Sequence, residues 1–103
     1  IVSDRISISY IYYYPNPMKG ETNFVFNNTG PEDIGKVRVK LYSVSGKLIR
    51  ELEYIALTGV NQILWDGKDA DGDFVANGTY LYKIVVDNNS DIESKVQKLV
   101  VLK

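Results

Sequence analysis

The sequence predicts an all-β chain, an antiparallel sandwich of about seven strands. Three observations carry this expectation. Short runs of alternating apolar and polar residues recur along the whole chain, turn-forming residues separate them, and no stretch sustains a helical period. The chain has 103 residues, of which 45% are apolar and 24% charged, enough for the core of one domain.

The elements follow in order. Residues 1–4 read as a possible linker remnant. In the first run Ile6, Ile8, Tyr10 and Tyr12 fall on one face and Ser7 and Ser9 on the other, until Pro15 and Pro17 end it. Thr22 to Asn27 forms a second strand, with Phe24 and Phe26 on a common face. After the loop 28–31, Val37, Val39 and Leu41 alternate with Lys36, Arg38 and Lys40. A tight turn at Ser45-Gly46 then leads into a return strand carrying Leu48, Arg50, Leu52 and Tyr54. That turn sets Lys40 opposite Glu51, Arg38 opposite Glu53, and Val39 opposite Leu52. Val60 to Trp65, Thr79 to Asp87 and Glu93 to Leu102 complete the set, with turns at 66–73 and 87–90. Seven strands in about a hundred residues is the count of an immunoglobulin-like sandwich. Trp65, Phe24, Phe26, Val39, Leu41 and Tyr80 are the expected core.

Composition excludes several functions. Without cysteine or histidine there is no disulfide, no zinc site of the usual kind and no serine–histidine dyad. A net charge of −1 gives no electrostatic case for nucleic acid, since Glu51 and Glu53 face the basic stripe of Lys36, Arg38 and Lys40. No apolar run approaches the ~20 residues of a membrane-spanning helix, and no transmembrane segment is expected. No catalytic constellation stands out, so the domain is expected to be no enzyme and to need no cofactor.

Two groups of residues invite a chemical reading. Asp66, Asp69, Asp71 and Asp73 could supply oxygens to calcium, yet Gly72 comes too early for an EF-hand loop and no glutamate closes it. Asp-Gly is also a common turn pair, and turn chemistry is the reading we adopt. Tyr10, Tyr12, Tyr13 and Tyr14 could stack on sugar rings, but tyrosine also suits half-buried strands, which is the expectation here. The triplets Asn27-Asn28-Thr29, Asn77-Gly78-Thr79 and Asn88-Asn89-Ser90 match glycosylation sequons and carry little weight in asparagine-rich turns.

Longer motifs go further. Tyr14-Pro15-Asn16-Pro17 followed by Phe24-Val25-Phe26 resembles the opening of the C-terminal sorting domains of the bacterial type IX secretion system. Trp65-Asp66-Gly67-Lys68-Asp69 with Gly72, then Val75 to Tyr82 with Gly78 and Tyr80, is similar to the immunoglobulin-like domain of flagellar hook-capping proteins. Val39 to Lys47 fits the shared pattern, and the ending Lys98-Leu99-Val100-Val101-Leu102-Lys103 resembles the basic-then-aliphatic terminus of sorting domains. The resemblance implies a C-terminal module of a longer exported protein. Its partners would be the upstream domains of the same chain, the secretion machinery and a surface-processing enzyme. Its place would be the surface of a Gram-negative bacterium, or its surroundings, reached through the periplasm. Pro15, Asn16, Pro17, Gly78, Tyr80, Lys98, Val100, Val101 and Lys103 are the motif positions it marks. The other implied readings are a hook-cap-like structural domain and a sugar- or calcium-binding accessory module. In the last strand Val96, Lys98, Val100 and Leu102 share one side and Leu99 and Val101 the other. The terminal edge, kept soluble by Lys98 and Lys103, is expected to be open to strand addition by a receptor.

Overall fold

A computed structural model describes residues 8–28, 35–86 and 96–103. The linker remnant at 1–4, the positions Ile6 and Ser7, most of the loop at 28–31, the turn at 87–90 and the start of the last strand at Glu93 lie outside these residues. Seven strands are present: β1 (Ile8–Tyr14), β2 (Thr22–Asn28), β3 (Gly35–Ser43), β4 (Leu48–Ala56), β5 (Gly59–Trp65), β6 (Gly78–Val86) and β7 (Gln97–Val101). They form two antiparallel sheets, ordered β1-β2-β5 and β4-β3-β6-β7, which face each other as an immunoglobulin-like sandwich. In the constant-domain arrangement the fourth strand joins the first sheet. Here the tight connection after β3 keeps β4 beside it.

Alternation decides which side chains meet between the sheets. Phe24, Phe26, Ile63 and Trp65 come from the smaller sheet, and Val37, Val39, Leu41, Tyr82, Ile84, Val86, Leu99 and Val101 from the larger. Phe24 stacks on Trp65 at 6.2 Å and tilts against Tyr82 at 4.7 Å, while Tyr13 meets Tyr82 edge-on at 6.1 Å. The expected core is buried as read, except that Tyr80 is only half-buried and packs on its margin.

Two departures from regular alternation matter. In β1, Ser9 pairs with Asn27 and Tyr12 with Val25, so Tyr10 and Ile11 together oppose Phe26. This bulge inserts one residue and reverses the faces after it. Ile11 and Tyr13 turn inward, whereas Tyr10, Tyr12 and Tyr14 turn out. The expected common face of Ile8, Tyr10 and Tyr12 is therefore corrected.

At the β3–β4 connection, the Gly46 amide donates to Ser43 O at 2.9 Å and the Ser43 amide to Lys47 O at 2.8 Å. The turn therefore spans three residues, with Gly46 at φ 94° closing it, rather than the two expected. Tyr42 pairs with Leu48 but Leu41 with Arg50, so Ile49 is an extra residue that restores the register. Arg38 lies opposite Glu53, Lys40 opposite Glu51 and Val39 opposite Leu52, as the sequence predicts. Lys40 pairs straight across with Glu51 at 3.9 Å, and two closer ion pairs run diagonally, Arg38–Glu51 and Lys36–Glu53, each at 3.3 Å.

The chain passes from β4 to β5 through Leu57 and Thr58 alone, and a buried asparagine holds that crossing. Asn61 Oδ1 accepts from the Leu57 amide at 2.9 Å, and its Nδ2 donates to Leu57 O at 2.9 Å and Gly59 O at 3.1 Å. Its burial is thus offset by bonds at both ends of the amide.

Candidate functional site

The motif residues gather at one end of the sandwich. Pro15 and Pro17, both following cis peptide bonds, carry the chain off β1, and Met18 then enters the core, fully buried. Met18 runs beside β7: its amide donates to Val100 O at 2.9 Å, and its carbonyl accepts from the Leu102 amide at 2.8 Å. Tyr13 joins the same three segments from within. Its hydroxyl donates to Asn16 Oδ1 at 2.7 Å and accepts from the Val100 amide at 3.0 Å. Thr22 Oγ1 ties the turn down by donating to Pro15 O at 3.2 Å.

These contacts correct the expectation of an open terminal edge. At Val100 and Leu102 the outward backbone groups of β7 already have partners. Lys103 is no free solubilising charge either. Its amide donates to Asn77 Oδ1 at 3.0 Å, and its Nζ donates to Val75 O at 2.7 Å and lies 5.5 Å from the Phe74 ring. Lys98 and Val100 do face outward, whereas Leu99 and Val101 are buried, as the alternation predicts. Gly78 pairs with Val101 across the β6–β7 ladder.

The aspartate segment is built as a turn. Asp69 Oδ1 accepts from the amides of Asp71 and Asp73, both at 3.0 Å, and the Gly72 amide returns to Asp69 O at 3.0 Å. Asp66 Oδ1 accepts from the Lys68 amide at 3.0 Å and from Arg50 at 3.1 Å. The Lys68 amide holds the Asp66 carboxyl below the usual carboxylate range; partial burial opposes this and the Arg50 charge adds to it. Lys68 O accepts both the Trp65 indole N–H at 2.9 Å and Arg50 at 2.7 Å. The Trp-Asp-Gly-Lys-Asp motif therefore fastens the loop to the core tryptophan and to β4. Among the described residues no group of three acidic side chains is placed to hold a metal ion.

Further along, Tyr80 Oη donates to Ala76 O at 2.6 Å, anchoring the entry to β6 four residues upstream. This is the tyrosine-corner bond of immunoglobulin-like sandwiches. Around Phe74, which is 62% exposed, Lys19, Gly20 and Lys103 line an open depression of about 380 Å³. Lys68 Nζ stands 5.1 Å from the same ring. Tyr13, Met18, Asn77 and Phe74 were not read from the sequence as parts of this end. Only the unplaced bulge hid Tyr13, whereas nothing local marks the other three.

The family comparison matches residues 15–90, the stretch that holds both the Trp65 loop and the tyrosine corner, to the FlgD Ig-like domain. The chain belongs to this family. Among solved structures, dimeric latent PorU from Porphyromonas gingivalis aligns with a TM-score of 0.79 and 24% identity, over 89% of this chain and 9% of that one. PorZ of the same organism, a surface component of its type IX secretion system, aligns at 0.60 and 23% over 90% and 11%. FlgD from Xanthomonas campestris, a hook-capping protein, aligns at 0.61 and 22% over 94% and 69%. At these identities the likeness is one of fold. This FlgD-type domain spans about a tenth of the two Porphyromonas chains. Comparison with curated proteins by sequence gives no match.

Proposed function

We propose that this FlgD-type domain is a non-catalytic C-terminal sorting and attachment module, directing a larger bacterial protein through the type IX secretion system to the cell surface. The observation that carries the reading is the junction of Pro15–Met18 with Val100–Lys103. Tyr13 and Met18, which flank the Tyr14-Pro15-Asn16-Pro17 motif, bond at one end of the fold to Val100 and Leu102 of the terminal motif, 82 residues or more further along the chain. The likeness of fold to latent PorU and to PorZ supports it. The secretion machinery, a surface-processing enzyme and the upstream domains of the same chain are the proposed partners. The outward side of β7, with Lys98, Val100 and Leu102 exposed beside the junction, is the proposed surface of contact.

The test fuses a reporter ahead of Ile1 and measures its surface display in a type IX-competent host, with the melting temperature of the isolated domain measured alongside. Lys98→Glu with Val100→Glu alters only exposed side chains, so an unchanged melt with strongly reduced display is expected. Undiminished display of this variant would remove the β7 surface from the reading. Retention of the unaltered fusion in the periplasm would remove the sorting role and leave the structural one, which the match to hook-capping FlgD over most of that chain favours.

A further inference from the structure

The outer face of the smaller sheet, which runs up to the junction at Tyr14, differs in composition from the rest of the chain. Although 24% of the chain is charged, the strands ISYIYYY, TNFVFNN and GVNQILW contain no charged residue. The outer face of the larger sheet carries Lys36, Arg38, Lys40, Glu51 and Glu53. On the smaller sheet Tyr10, Tyr12 and Tyr14 are 76%, 50% and 69% exposed. The expectation that these tyrosines are half-buried is corrected: the β1 bulge puts Tyr13 alone of the run into the core.

Register places amides among the rings. Tyr14, Asn23 and Leu64 form one row across the sheet, Tyr12, Val25 and Gln62 the next, and Asn27 and Val60 a third beside Tyr10. Side chains two apart on a strand are ~6.7 Å from each other, so Tyr12 and Tyr14 form successive steps of a ladder along β1. A depression of about 210 Å³ lies where Tyr10 and Tyr12 meet Val25, Asn27 and Val60. Tyr10 holds φ at 54°, in the left-handed region that a bulky side chain rarely enters. Neither this backbone nor three exposed rings is what stability alone selects.

We infer that this face binds a neutral polysaccharide strand, with the tyrosine rings stacking on sugar faces and Asn23, Asn27 and Gln62 bonding to hydroxyls. Sugar rings present C–H faces that pack on the electron-rich faces of aromatic rings, and neutral hydroxyls pair with amides that both donate and accept. A charge-free face suits a charge-free ligand. Shape suits it as well: the three strands, ~4.8 Å apart and seven residues long, form a strip ~23 Å long that holds several sugar rings in a line.

The test uses the 103-residue chain with neutral hexasaccharides of β-1,4-linked glucose, xylose and mannose as probes, read by amide chemical-shift mapping and calorimetry. At least one probe is expected to shift amides of β1, β2 and β5. Tyr12→Ala with Tyr14→Ala should weaken that binding by about tenfold or more at an unchanged melting temperature. Lys40→Ala on the other sheet should leave it unaltered. Three results would overturn the inference: no shifts on this face with any probe at millimolar concentration, binding that survives the double tyrosine variant, or a solution dimer that the same variant dissolves. The last would assign the face to a second copy of the chain.

Discussion

Gly67 joins the motif loop to the turn that follows β1, and its backbone has no room for a side chain. Its φ is 80°, and a Cβ at this position would collide with the carbonyl oxygen of Gly20. Its own carbonyl accepts the Val75 amide at 2.9 Å. Both the left-handed backbone and the close approach select glycine. Two costs combine in Gly67→Ala, about 1–2 kcal/mol for the backbone and more for separating two packed main chains. The expected result is a loss of at least about 2 kcal/mol in urea unfolding. Gly72→Ala provides the comparison, since Gly72 lies in the same left-handed region at φ 89° but has open space where the methyl would go. It should cost only the backbone share. Equal effects of the two substitutions would show that the approach of Gly20 contributes nothing.

At the scale of elements, one hydroxyl ties β1 to the terminal strand β7, beside the two backbone bonds that Met18 makes there. Tyr13 Oη links Asn16 in the proline turn to the backbone of Val100 while its ring packs on Tyr82. Tyr13→Phe keeps the ring and deletes both bonds, stranding the Val100 amide, while the exposed Asn16 Oδ1 is left to water. A loss of about 1–3 kcal/mol is expected, with hydrogen exchange at Val100 and Leu102 quickened more than at Ile84 in the centre of β6. Uniform quickening would mean that Tyr13 supports the whole fold and not the junction. Strands, hairpin register and core aromatics were legible in the sequence because a period of two, once broken by turn residues, fixes which side chains face inward. The proline turn and the tyrosine corner were legible as motifs. What escaped is the geometry of single inserted residues. The β1 bulge flips Tyr10, Tyr12 and Tyr14 outward and Tyr13 inward, and no residue of Ser9-Tyr10-Ile11 is of a type that announces it. Ile49 is the opposite case. The sequence put Lys40 opposite Glu51 by assuming a two-residue turn; the actual turn is three residues long, and the extra residue at Ile49 restores the same pairing. The terminal edge was misjudged for a different reason. Met18 lies more than 80 residues before its partners, and nothing near either end records that contact.

For the whole molecule, the arrangement of charge and aromatic side chains sets the pH range in which the fold survives. The outer face of the larger sheet carries ion pairs each worth a few tenths of a kcal/mol, and the core between the sheets holds two tyrosines, Tyr13 and Tyr82. Tyr82 is wholly buried against Phe24 and Tyr13, and its hydroxyl reaches Gln97 Oε1 at 3.4 Å. Burial, with a smaller contribution from Tyr13, pushes its pKa from 10.0 up to about 12. The folded state thus favours the neutral phenol, and that preference acts fully while the pH is below 10. Between 10 and about 12 the unfolded chain releases this proton and the folded chain keeps it. Stability then falls by about 1.4 kcal/mol per pH unit from this one group, and the decline ends once both states are ionised. Tyr82→Phe retains the ring in the core and removes the titration. Urea unfolding at pH 8, 9.5 and 11 should show the two proteins within about 1 kcal/mol of each other at pH 8, with the parent losing more than the variant by pH 11. Parallel declines would show that Tyr82 does not drive alkaline unfolding, and would mean that the sandwich opens enough to hydrate it before the rest of the core is lost.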